Sequence, residues 1–169
     1  MKPLKMLLQN AAPSQKKIVL SEGSDPRVVQ AAIDARKQGI ARIVLVGPEQ
    51  DILGQNSFAG AKPDDGVEIH DPVNSPLLDE LALAFFERRK HKGVSLEDAI
   101  CAARKPHVYA ALLVKTGRAD GTVGGAVATT AEIVRTAIQV IGTKPGSKVL
   151  LPYAVLPNPP HKKGRSYLC

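Results

Sequence analysis

Short runs of branched aliphatic residues alternate along this chain with longer stretches in which apolar side chains recur every three or four positions. The runs at 16–22 (KKIVLSE), 41–47 (ARIVLVG), 67–71 (VEIHD) and 120–126 (DGTVGGA) read as strands. Between them the helical period takes over. A short opening helix is predicted over 4–12. The next covers 26–39, with Asp25 as N-cap, Pro26 in the first helical position and Gly39 as its stop. Val28, Val29, Ala32 and Ile33 give it a buried face. A weak helix is expected over 48–55 and a polar loop over 56–66. The longest helix is expected over 75–93, with Leu78, Leu81, Ala82 and Phe85 as its apolar stripe and Arg89 extending that stripe by a turn. Ser95 caps the following helix, with Asp98 in the capping-box position. Helices over 107–117 and 130–141 complete the series, and 147–157 begins like another strand.

Strands and helices that alternate with short connections build βαβ units, right-handed crossovers and a parallel sheet. The run 41–47 is apolar without alternation, as a strand covered on both faces should be. The expected fold is therefore α/β: three layers, α/β/α, around a mainly parallel sheet. A length of 169 residues suits one domain of average size. Aromatic residues are only 4% of the chain and Trp is absent, so the core must be aliphatic. There is no internal repeat and no low-complexity segment.

The formal charge of +7 suggests nucleic acid until it is mapped. Lys144, Lys148, Lys162, Lys163 and Arg165 supply five of those charges, and no acidic residue follows Glu132. The excess of base belongs to a proline-rich end that carries no recognition motif, so no nucleic-acid partner is expected. Cys101 and Cys169 form neither a CxxC motif nor a disulfide framework, which points to a reducing compartment and a cytoplasmic protein. Cys101, among alanines, is expected to be a buried packing residue. The opening residues are too weakly apolar for a signal peptide, and no run is long enough to span a membrane. His70, His91, His107 and His161 lack ligand spacing, so no metal site is expected.

Two loops after strands are placed for chemistry: 21–26 (SEGSDP) and 124–130 (GGAVATT). In the second, Gly124 and Gly125 allow close approach of the backbone, and Thr129 with Glu132 forms a capping box. Free N–H groups there would favour an anion. The same residues also suit a well-capped turn with glycines for tight packing, and spacing alone leaves both readings open. The loop lacks the ending of a Walker motif and the GxGxxG spacing, so neither a Walker-type nor a dinucleotide site is supported. Arg135 is expected at the edge of an apolar face made by Val134, Ile138 and Ile141, where its guanidinium should seek a carboxylate or a phosphate. Arg89 raises the same two possibilities, a structural ion pair or a substrate contact.

Four segments, KKIVLSEGSDPRVVQAA, GIARIVLVG, RRKHKGVSLEDA and ADGTVGGAVATTAEIVRTAIQVIGTKPG, resemble in order and spacing the phosphate acetyl/butyryltransferase family. The resemblance runs from about residue 4 to Gly146. It implies the fold shared with isocitrate and isopropylmalate dehydrogenases, a homodimer, and an active site in a cleft between two domains. It implies transfer of an acetyl group between coenzyme A and phosphate, with coenzyme A, acetyl phosphate and phosphate as substrates and no bound cofactor. A carboxylate base deprotonates the thiol, and arginines neutralise the phosphate. The family arginines fall on Arg89 and Arg135, and Gly125, Thr129 and Thr130 become neighbours of the phosphate.

Three positions depart from the family pattern: Gly124 stands for a serine, Ala128 for a histidine and Thr136 for a proline. The chain also stops at about half the family's extent, without the segment that carries the base. Residues 1–146 are thus expected to form an N-terminal α/β domain, and 147–169 a divergent basic, proline-rich tail. PPHKKG in that tail resembles a family segment, as a frameshift and early termination would leave it. A coding sequence with no family-like frame downstream would sink that explanation. A truncated, non-catalytic chain that binds phosphate or coenzyme A, or serves as a dimerisation module, is the alternative function.

Overall fold

The structure is a computed structural model that describes residues 3–55 and 67–143. The loop expected at 56–66, the strand at 147–157 and the tail lie outside the described residues. Among the described residues, four parallel strands form the sheet: β1 Lys17–Leu20, β2 Arg42–Val46, β3 Val67–His70 and β4 Gly121–Val123, in the order β3-β2-β1-β4. The register sets Val19 beside Val44 on one side and Thr122 on the other.

Side chains alternate across the sheet, so each strand feeds two cores. Val19, Val44 and Val46 pack with α4 (Leu78–Arg89), α5 (Leu96–Ala103) and α6 (Pro106–Lys115). Ile43 and Leu45 pack on the opposite side with Val29, Ala32 and Ile33 of α2 (Pro26–Lys37) and Ile52 of α3 (Glu49–Leu53). That makes three layers, as expected. Leu45, Ile52, Leu81, Leu112 and Leu113 are almost wholly buried, each worth about 1.5–3 kcal/mol relative to exposure. A short α1 (Pro3–Ala11) precedes β1.

The caps are where the sequence put them. Asp25 accepts from the Arg27 N–H with Pro26 behind it, and Ser95 and Asp98 form a reciprocal capping box. Leu78, Leu81, Ala82 and Phe85 are all buried.

Four expectations need correction. The long helix is shorter than 75–93: it covers Leu78–Arg89 and closes in a 3-10 turn at Lys90–Lys92. The strand expected over 120–126 stops at Val123, because the residues after it are drawn into a loop tied to Glu22, just beyond β1. Cys101 is exposed, since α5 turns Ala99 and Ala103 inward instead. Finally, α7 (Thr130–Thr136) passes into a π-helical turn, Ala137–Ile141. That wider turn breaks the 3.6-residue period. Thr136 and Val140 face inward, while Ile138 and Ile141 are exposed.

Candidate functional site at the carboxyl edge of the sheet

β1 has β2 on one side and β4 on the other, so chain connections leave this pair in opposite directions. A crevice opens at such a switch point, beyond the carboxyl ends of the two strands. The two loops singled out in the sequence meet there. The first is pinned by Gly23, whose N–H donates to the Val46 carbonyl at 2.9 Å and whose missing side chain leaves room for Ile52. The second starts at Gly124, where a Cβ would collide with Ser21 Oγ. At Gly125 φ is +107°, a conformation that favours glycine.

One carboxylate joins the loops. Glu22 Oε2 accepts from the Gly125 and Ala126 N–H groups at 2.9 and 2.7 Å, and Oε1 from those of Val127 and Ala128 at 3.0 and 2.6 Å. Partial burial raises the Glu22 pKa, but the donors from Ala128, Val127, Ala126 and Gly125 outweigh it, and the result lies below the ordinary value. Arg27 closes the arrangement from outside. Its Nη2 donates to the Ala126 carbonyl at 3.0 Å and to Asp25 Oδ2 at 2.7 Å. The Arg27 side-chain hydrogen bond, ahead of its backbone N–H, draws the Asp25 carboxyl down to about 2.

The loop then delivers α7. Thr129 is its N-cap: Oγ1 accepts from the Glu132 N–H, while Glu132 Oε2 accepts from Thr129 N–H and Oγ1, both at 2.8 Å. Thr130 is the first helical residue and is exposed. Arg135 lies in the last α-helical turn, exposed, with no ion pair among the described residues. Gly125, Thr129, Thr130 and Arg135 therefore share one continuous segment. Arg89 comes from elsewhere, at the end of α4. Its neighbour Arg88 donates from Nε to the Gln139 carbonyl at 2.9 Å. Gln139 is one turn beyond Arg135, roughly 5–6 Å along the axis. Arg89 itself is half-buried, and its Nε has no partner among the described residues.

The role of Glu22 was missed in the sequence. A carboxylate at the end of β1 was visible, but only the pairing of β1 with β4 brings it under the glycine loop. A second polar group lies at the end of β3. The buried Tyr109 hydroxyl meets Ser75 Oγ at 2.6 Å and His70 Nδ1 at 3.1 Å. Burial lowers the His70 pKa against the pull of Glu68. A cleft beside it is lined by Glu49, Asp71, Asn74 and Ser75. Among the described residues, no grouping of His, Cys, Asp and Glu could hold a metal ion, and no helix is long and apolar enough to cross a membrane.

A family model described as Phosphate acetyl/butaryl transferase matches residues 3–161, reaching past Gly146. A phosphate acetyltransferase from Acetivibrio thermocellus is 40% identical over 153 residues, covering 90% of this chain and 45% of that protein. One from Paracoccus denitrificans is 40% identical over 150 residues, covering 89% and 43%. Among solved structures, a phosphotransacetylase from Streptococcus pyogenes superposes with a TM-score of 0.78 at 36% identity, covering 85% of this chain and 43% of its own. A phosphotransacetylase from Staphylococcus aureus gives 0.76 at 33% identity, covering 86% and 44%. The chain thus spans less than half the length of these relatives.

Proposed function

The chain belongs to the phosphate acetyl/butyryl transferase family, and on that premise we propose that it is the amino-terminal α/β part of a cytoplasmic phosphate acetyltransferase. The observation that supports this most is the shared placement of Arg135, Thr129 and Thr130 on the segment that follows the switch-point loop. A fold like that of isocitrate and isopropylmalate dehydrogenases, with a homodimeric cleft, belongs to the same proposal.

In the reaction, the thiolate of coenzyme A attacks the carbonyl carbon of acetyl phosphate. A C–S bond forms, the bond between the acyl carbon and the bridging oxygen breaks, and inorganic phosphate leaves with that oxygen and its electron pair. Arg135 and Arg89 would face the phosphate and offset the charge that grows on its oxygens. Thr130 offers a hydroxyl beside it, and Thr129 holds the helix start in place through Glu132. Gly125 contributes space, since its N–H is already given to Glu22. No base for the thiol proton is assigned among the described residues.

The test is acetyl phosphate formation from acetyl-CoA and phosphate by the purified chain. Turnover above background, reduced about 100-fold or more by Arg135→Ala, would show acyltransferase activity in this chain alone. A second reading starts from the lack of an assigned base among the described residues: a non-catalytic module that binds phosphate or coenzyme A, or dimerises. Phosphate binding without turnover would select it.

A further inference from the structure

A run of four successive amides that converge on one point is the arrangement by which a loop holds a phosphate or carboxylate. Here Gly125, Ala126, Val127 and Ala128 converge in that way, and Glu22 already fills the place. Each oxygen of Glu22 takes two N–H groups, which saturates the roughly four acceptor positions of a carboxylate. These are charge-assisted bonds, stronger than those between neutral groups. Three further features hold the loop in this form. Gly124 lies against Ser21 and Ile133, Gly125 adopts φ +107°, and Arg27 fixes the Ala126 carbonyl from the outer side.

We propose that Glu22 is a tethered occupant of this amide cradle, a positioning residue that shapes the loop and excludes free anions from it. An incoming phosphate would have to displace a carboxylate joined to the adjoining strand and approach a like charge. The cradle that the glycines suggest for a substrate is thus internally satisfied. Where the acyltransferase reading holds, the phosphate approaches the loop only from the side of Arg135. The occupancy itself stands on the geometry of the loop and does not depend on that reading.

The test follows the backbone amides of residues 125–128 by nuclear magnetic resonance in the full chain as inorganic phosphate is added at neutral pH. Wild type should show no saturable shift at these four amides. Glu22→Gln offers one acceptor oxygen where there were two, so its cradle amides should shift saturably with phosphate. Wild-type amides that respond like those of the variant would overturn the proposal, as would a variant no more responsive than wild type. Should the variant not fold, hydrogen exchange in wild type decides: the four amides should exchange at least about tenfold more slowly than in an unstructured peptide. Exchange at the unstructured rate would contradict occupancy. The Arg135 side-chain Nε–H, followed in the same titration, reports separately on the substrate reading.

Discussion

Glu22, Thr129 and Ser21 lie within one loop pair, yet their side chains should answer very differently to removal. Thr129→Ala deletes the N-cap of α7 and the hydroxyl that Glu132 accepts from. It should cost about 1 kcal/mol, read as a Tm lower by roughly 2–4 °C. An unchanged Tm would show that the cap contributes nothing. Ser21 is 2% exposed and its Oγ has no partner among the described residues. A buried hydroxyl without a partner costs about 1–3 kcal/mol, so Ser21→Ala should be neutral or stabilising in urea unfolding. Glu22 sets a pH dependence. Its folded pKa lies below the ordinary 4.5, so its contribution is complete above that value and is lost as pH falls through the folded pKa. Glu22→Gln should flatten that part of the acid unfolding curve, and an unaltered curve would contradict the assignment. The sequence exposed Thr129 and Glu132 because a capping box is local. It hid Glu22 because that carboxylate and the loop it holds are about a hundred positions apart.

At the scale of elements, the same division between local and distant causes recurs. Helix starts at Asp25, Ser95 and Thr129 were legible, being fixed by residues within one turn. The π-helical turn was not. It is closed by the Gly142 N–H donating to the Ala137 carbonyl, and Arg88 of α4 holds the Gln139 carbonyl beside it. A helical period read from the sequence assumes that each residue advances by the same angle, so it turned Ile138 and Ile141 inward where Thr136 and Val140 belong. Tyr109 joins α6 to β3 and to the lead-in of α4 through His70 and Ser75. Tyr109→Phe keeps the buried ring but leaves both partners unsatisfied, and should cost about 1–2 kcal/mol in denaturant unfolding. No loss would mean that both partners turn to solvent. Burial also lowers the His70 pKa from 6.5. The unfolded chain therefore binds the proton more readily. Stability from neutral His70 is complete above about 6.5 and falls as pH drops toward the folded value.

For the whole molecule, the order β3-β2-β1-β4 leaves β4 without an outer neighbour among the described residues. Val123, its last residue, is 60% exposed, and Val127 in the loop that follows is 70% exposed. An open strand edge with apolar flanks favours pairing with another chain. Sedimentation should show self-association that weakens in Val127→Lys, whereas a monomer at all concentrations would contradict it. The parallel α/β plan was legible throughout, because strand and helix periods alternate cleanly. The proposed function requires that the segment after the switch-point loop receive a phosphate. The most direct measurement is calorimetric titration of the 169-residue chain with acetyl phosphate, beside its Arg135→Ala variant. Saturable binding, weakened about tenfold or more by the loss of a charged hydrogen-bond donor, is the expected result. Equal affinity in the two proteins would contradict it.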